Sequence, residues 1–173
     1  MAGLIQGLLT KRMQDQLMIF YANNGTDRTA PFAQTPAWIG PSVTPLNNIN
    51  SGFRLYEVDT GNFEIYEAWT FYADVSSFPD LNTVGPTFEL EYSTRAEFGP
   101  AIHWPDDAPL NATFWHLVTE AMEKDIKLVS RYNTFQGKSS IHSPNCTSSF
   151  CQAAKVCYMR SGSVALGRQC PQG

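Results

Sequence analysis

Apolar and polar positions change their period once along the chain, from two to about three and a half, and that change separates strands from helices. Leu17-Met18-Ile19-Phe20-Tyr21 is an unbroken apolar run between polar flanks, which predicts a short buried strand. Residues 22–36 are rich in Asn, Gly, Thr and Pro and predict a loop. Ala37-Trp38-Ile39-Gly40 predicts a second short strand, and Pro41 to Ser51 a second loop. Alternation then sets in, with Phe53 and Leu55 on one parity and Tyr56 and Val58 on the other. Asp59-Thr60-Gly61-Asn62 has turn chemistry, because Gly61 tolerates positive φ and Asp59 can bond the backbone ahead of it. Phe63, Ile65, Glu67 and Trp69 then share one parity. Two alternating runs around a turn predict a β-hairpin.

Pro79 to Pro86 punctuates the chain, and Thr87 to Phe98 reads as strand followed by helical turn. Gly99 to Pro109 carries Pro100, Pro105 and Pro109 and reads as a separator. From Asn111 the helical period takes over. Phe114, Leu117, Val118, Ala121, Met122 and Ile126 recur at steps of mostly three and four, and Val129 and Tyr132 extend the same face. Asn111 fits an N-cap and Gly137 a stop. A second short helix is expected over Cys151 to Met159. Strands first and helices last predict an α+β fold. Residues 1–99 would form a partial β-sheet with the hairpin, and residues 100–173 a small helical region.

Composition narrows the function. The 173 residues are 43% hydrophobic and 13% aromatic, enough to bury a core. Net charge is −4 and the basic residues are scattered, so no stripe exists to neutralise phosphates and nucleic acid is not expected as a partner. No apolar run reaches the length of a transmembrane segment. All four cysteines, Cys146, Cys151, Cys157 and Cys170, follow residue 145. Their uneven gaps suit disulfides better than a zinc site, which favours ligands paired two to four residues apart. Four cysteines allow three connectivities, and spacing does not choose among them. Sequons at Asn24, Asn111 and Asn145 make these the candidate glycosylation sites. Cysteines and sequons together point to the extracellular space or the secretory pathway. Met1 to Arg12 lacks the basic start and continuous apolar stretch of a signal peptide, so a missing beginning is expected.

Tempting side chains carry little chemistry by pattern. His103, His116 and His142 are the only histidines and are far apart. They read as structural or surface residues, with His116 flanking the buried face of the long helix. Asp106, Asp107, Glu120, Glu123 and Asp125 lack the ordered oxygens and turn glycine of a calcium loop and read as a solvated acidic face. Trp38, Trp69 and Trp115 read as core, with Trp104 as the exception, set in a loop between His103 and Pro105. Asn23, Asn24, Asn47, Asn48 and Asn50 lie in loops beside strand ends. No Gly-x-Ser-x-Gly, catalytic Cys–His pairing or phosphate loop is present.

Three stretches together resemble the acid-sphingomyelinase-like branch of the calcineurin-type metallophosphoesterases. They are Asp15-Gln16-Leu17-Met18-Ile19-Phe20-Tyr21, the run Gly40-Pro41-Ser42-Val43-Thr44-Pro45 through Asn50-Ser51-Gly52-Phe53-Arg54-Leu55-Tyr56-Glu57-Val58-Asp59, and the cysteine tail. The resemblance implies the C-terminal end of a metallophosphoesterase β-sandwich followed by a helical, disulfide-closed region. It implies a phosphodiester or lipid substrate for the full-length form, and two zinc ions held by Asp-x-His, Gly-Asp, Asn-His-Glu/Asp and His-x-His motifs. The early motifs would lie upstream of Met1. The last would fall just before Asp15, where this chain has Thr10-Lys11-Arg12-Met13. Gly61-Asn62-Phe63-Glu64 imitates Gly-Asn-His-Glu, but Phe63 cannot bind a metal. No catalytic or metal-ligating residue and no cofactor is therefore expected in this chain. The resemblance also implies two consecutive local bridges, Cys146 with Cys151 and Cys157 with Cys170, and the low entropic cost of closing short loops favours the same pairing. The expected function is an inactive fragment of a secreted sphingomyelin-phosphodiesterase-like hydrolase, with no partner protein identified. The alternative is a non-catalytic secreted glycoprotein binding module.

Overall fold

The computed structural model describes residues 16–22, 25–45, 49–77 and 85–171. Among the described residues five strands come first: β1 (Gln16–Tyr21), β2 (Ala33–Ile39), β3 (Ser51–Val58), β4 (Ile65–Ala73) and β5 (Glu89–Ser93). Five helices follow: α1 (Thr94–Ile102), α2 (Ala112–Lys124), α3 (Ile126–Gln136), α4 (Ser149–Met159) and α5 (Val164–Gly167). The strands form two small antiparallel sheets, β1–β2 and β3–β4–β5. The fold is α+β, as the order of periods predicts.

Helix α2 is the centre of the packing and contacts β1, β2, α1, α3 and α4. Its inward stripe is Phe114, Trp115, Val118 and Met122, all at most 2% exposed. Each such burial contributes about 1.5–3 kcal/mol. Leu17, Ile19 and Tyr21 of β1 meet this stripe, with Phe98, Tyr132, Val156 and Met159 from the other helices. Only alternate residues of β1 are buried, and Phe20 is 39% exposed, so the apolar run is a half-buried strand.

Each helix starts on a side-chain cap. Ser93, Asn111, Ser148 and Ser163 accept from the amides of Ala96, Phe114, Cys151 and Leu166, and Asp125 accepts from Lys127. Asp125 also breaks what reads as one long helix. Its extended backbone (φ −130°, ψ 104°) ends α2 and starts α3. The apolar face continues across the break, which hides it from the sequence pattern. The stop at Gly137 is present for a steric reason. A Cβ there would stand 2.2 Å from Ser143 Oγ, while the left-handed turn falls on Lys138 and Ser139.

Three local expectations are corrected. Strand β2 begins at Ala33, inside the expected loop, and runs through Pro36. It pairs with β1 alone, and an edge strand tolerates a residue without an N–H. Phe63 is not in a strand: the turn extends to Glu64, held by Phe63 N–H to Asp59 O (2.8 Å) and Glu64 N–H to Asn62 Oδ1 (2.9 Å). Phe63 has φ 61° and is 79% exposed. Finally, α1 runs through Gly99 and Pro100. Glu67 Oε1 accepts the Arg95 amide (3.1 Å), and the Arg95 guanidinium bonds the carbonyls of Tyr66, Pro105 and Ala108, which fixes this short helix despite its proline.

Candidate functional site

The cysteine tail is closed as the resemblance implies. Cys146 is bonded to Cys151 and Cys157 to Cys170, and no described cysteine is free. Cys146 and Cys170 are buried, so each bridge ties α4 to a segment that otherwise has few apolar side chains. Helix α4 in turn supplies Val156 and Met159 to the core.

The Gly40–Asp59 stretch, which carries most of the resemblance, is a structural junction. Ser42 carbonyl accepts from Gly52 N–H (3.0 Å) and from the Lys138 ammonium (3.2 Å). Asn50 donates to Lys138 carbonyl (2.9 Å) and accepts from Val75 N–H (3.1 Å). A Cβ on Gly52 would meet both Phe71 carbonyl and Lys138 Cδ at 2.9 Å, so only glycine fits between strand and lysine. Arg54 bonds Thr70 Oγ1 and the Tyr92 hydroxyl and lies within about 6 Å of the Trp38, Tyr56 and Tyr92 rings. It joins the two sheets. Asn50 is buried and lines a 210 Å³ cleft with Asp74, Ser76 and His142, but both ends of its amide are already bonded to protein. Asn23, Asn24, Asn47 and Asn48 lie outside the described residues.

The histidines stay apart. His103 caps α1 in the left-handed region (φ 53°), and His142 is exposed beside the small cleft. His116 is 2% exposed and has a partner on each ring nitrogen: Tyr21 Oη at 2.8 Å on Nδ1 and Glu120 Oε1 at 3.1 Å on Nε2. Burial, reinforced by the Arg160 charge, lowers its pKa, against the pull of Glu120. Burial raises Tyr21 to about 12, against the pull of Arg160 and Arg28. Tyr21 therefore keeps its proton and donates it to a neutral His116, whose Nε2–H faces Glu120. Arg160 completes the cluster through Thr119 Oγ1 (2.7 Å) and a two-pronged pair with Glu123.

The acidic residues are solvent-exposed or half-exposed, and three of them also have local partners: Glu120 and Glu123 pair with His116 and Arg160, and Asp125 caps α3. Asp106 and Asp107 are exposed. The tryptophan reading is revised. Trp104 packs on Phe114 (5.4 Å) and donates to Ala108 carbonyl, because the Gly99–Pro109 segment folds back onto α2. Trp69 lies outside the core cluster instead, on the parity opposite the buried Ala68 and Thr70. Of the sequons, Asn145 is exposed, Asn111 is half-buried at the N-cap of α2, and Asn24 lies outside the described residues.

Among the described residues no group of three or more His, Cys, Asp or Glu side chains is placed to hold a metal ion. The zinc pair implied by the resemblance therefore finds no donor set there. Among the same residues no helix is long and apolar enough to cross a membrane. The Tyr21–His116–Glu120 chain was half legible, since His116 and Glu120 are four apart on one helix. Tyr21, 95 residues away from His116, carried no signal.

These features define a disulfide-bonded α+β region whose polar clusters brace its elements. No family model matches the chain. Curated relatives do. It is 27% identical over 158 residues to sphingomyelin phosphodiesterase 1 of Caenorhabditis elegans, covering 91% of this chain and 26% of that one. It is 32% identical over 101 residues to sphingomyelin phosphodiesterase 2 of the same organism, covering 53% and 16%. It is 25% identical over 161 residues to sphingomyelin phosphodiesterase B of Dictyostelium discoideum, covering 91% and 24%. The chain is thus related to the sphingomyelin phosphodiesterases, and it spans about a quarter of the length of the two relatives that match most of it.

Proposed function

We propose that this chain is a non-catalytic C-terminal region of a sphingomyelin-phosphodiesterase-like hydrolase of the metallophosphoesterase type, and that it does not hydrolyse phosphodiesters alone. The observation that carries this reading is similarity along 91% of the chain to relatives about four times as long. The role assigned to the region is structural. It supplies a disulfide-closed helical block and a short sheet, and the zinc-dependent chemistry belongs to the rest of such an enzyme. In this reading residues 1–99 end the β-sandwich and residues 100–173 form the helical region, and one apolar cluster draws on both.

Secretion and glycosylation are part of the proposal. Two disulfides favour an oxidising compartment, extracellular or within the secretory pathway. Exposed Asn145 is the more accessible acceptor, and Asn111 keeps its Oδ1 for the helix cap. The binding-module reading has one observation in its favour. Leu55 and Leu90, on the sheet face opposite the core, are 52% and 54% exposed.

The test is hydrolysis of bis-(p-nitrophenyl) phosphate by the purified chain with added Zn²⁺, beside a metal-content measurement. The expected result is background hydrolysis. Activity that rises with near-stoichiometric bound zinc would overturn the reading.

A further inference from the structure

His116 joins β1, α2 and the end of α4 at a single buried ring. It is 2% exposed, and each ring nitrogen has one partner: Tyr21 Oη on Nδ1 at 2.8 Å and Glu120 Oε1 on Nε2 at 3.1 Å. The rings of Tyr21 and His116 meet edge to face at 5.7 Å. Arg160, which caps α4, is pinned nearby, with Nε on Thr119 Oγ1 at 2.7 Å and both Nη on the Glu123 carboxylate. Tyr21 of β1, Glu120 and Glu123 of α2 and Arg160 are therefore the titratable and charged groups that act on the ring. Arg28, in the loop after β1, acts on Tyr21.

These hydrogen bonds run in one direction. Glu120 takes the Nε2–H, so Nδ1 is an acceptor and the Tyr21 hydroxyl is its donor. Tyr21 is 7% exposed, and its hydroxyl has no other partner among the described residues. A proton on Nδ1 sets two donors face to face. The tyrosine must then turn its O–H away, and no described residue offers it another acceptor, so a buried donor is left unpaired. The same proton places an imidazolium beside a guanidinium that Thr119 and Glu123 hold in place. Glu120 offsets part of that repulsion, but its side chain is 43% exposed and screened by solvent.

The strand across this bond is able to respond. Strands β1 and β2 form a sheet of their own. At one end of β1 the Leu17 amide bonds the Tyr132 hydroxyl of α3 at 3.2 Å, and at the other end Tyr21 is tied to His116. We propose that Tyr21 and His116 form an acid-released clasp: a proton on His116 breaks the β1–α2 bond and frees the Tyr21 end of the β1–β2 pair, while the Leu17 end stays anchored on α3. Burial and the Arg160 charge place this event below the ordinary histidine range. The clasp belongs to the packing of this chain and does not rest on the hydrolase reading.

The experiment follows the His116 ring and the backbone amides together by NMR, on the oxidised 173-residue chain, from about pH 8 to about pH 4.5. His116 should titrate below 6.5, and the amides of Ile19 to Tyr21 and of Ala33, the partner of Tyr21, should move with the same midpoint. Leu17 and the β3–β4 ladder should stay still, which separates the clasp from general acid unfolding. His116→Gln should make the β1 amides insensitive to pH across this range. Two charge variants should move the midpoint in opposite directions by about one pH unit each. Glu120→Gln lowers it through loss of the carboxylate, and Arg160→Gln raises it through loss of the fixed cation. Misfolding would not split the two signs. A His116 ring that stays neutral throughout, β1 amides that hold still while the ring titrates, or a midpoint that both variants leave in place would overturn the clasp.

Discussion

The helical region and the three-stranded sheet meet the same need, burial of apolar surface, with different success. Helix α2 is surrounded by β1, β2, α1, α3 and α4, and its inward side chains are sealed. Among the described residues the β3–β4–β5 sheet is sealed on one face only. Ala68 and Thr70 are fully buried and Tyr92 is 8% exposed, on the face that meets α1. On the other parity Phe53 stacks on Phe71 at 5.1 Å and meets Phe88, while Leu55 and Leu90 stay half open. A helix in this chain can be surrounded by its own neighbours, whereas a sheet must find a second layer. Here α1 supplies one layer.

That contrast predicts unequal costs. Phe114→Ala empties a fully buried site at the centre of α2 and should destabilise by about 3–5 kcal/mol. Leu55→Ala, on the open face, should change stability by less than about 1 kcal/mol. Denaturant melts of the two variants check this. A Leu55→Ala loss equal to that of Phe114→Ala would mean that the outer face is buried in solution.

The next effect comes from the bridges. Replacing Cys157 and Cys170 by Ser opens a loop of 13 residues and should cost about 3 kcal/mol by the chain-entropy estimate. The Cys146–Cys151 loop of 5 residues should cost about 2 kcal/mol. Both losses should appear first in hydrogen exchange of α4, leaving the β3–β4 ladder unchanged.

The smallest effect is set by pH. His116 has a folded pKa below its ordinary 6.5, so the unfolded chain takes up its proton first. Its contribution to stability is complete above about 6.5 and declines as pH falls from there toward the lowered folded value. Melting temperatures of the parent and of His116→Gln should therefore diverge least at acid pH. A parent whose His116-dependent stability grows as pH falls from 7 to 5 would contradict the neutral assignment.

Much of this architecture was legible because period and capping agree. Asn111 followed by Phe114, Val118 and Met122 announces α2 from residue chemistry alone, and the hairpin shows in the parity around Asp59 to Asn62. The misses share a cause: local chemistry overruled by contacts far along the chain. Pro36 concealed the first half of β2, because only a pairing with Ile19 of β1 reveals an edge strand there. Pro100 concealed the second half of α1, whose start is held by Glu67 from β4. Trp104 lies in a loop as expected, and only its packing on Phe114 shows that it joins the core.

The central claim is that the described residues close the helical core and leave one face of the sheet open. Hydrogen exchange followed by mass spectrometry on the oxidised chain tests it most directly. The account predicts that α2 and α3 amides are the slowest in the molecule and that β3 amides, on the sheet's outer edge, exchange orders of magnitude faster. Equal protection of β3 and α2 would contradict it, because a one-faced edge strand cannot match a helix buried on all sides.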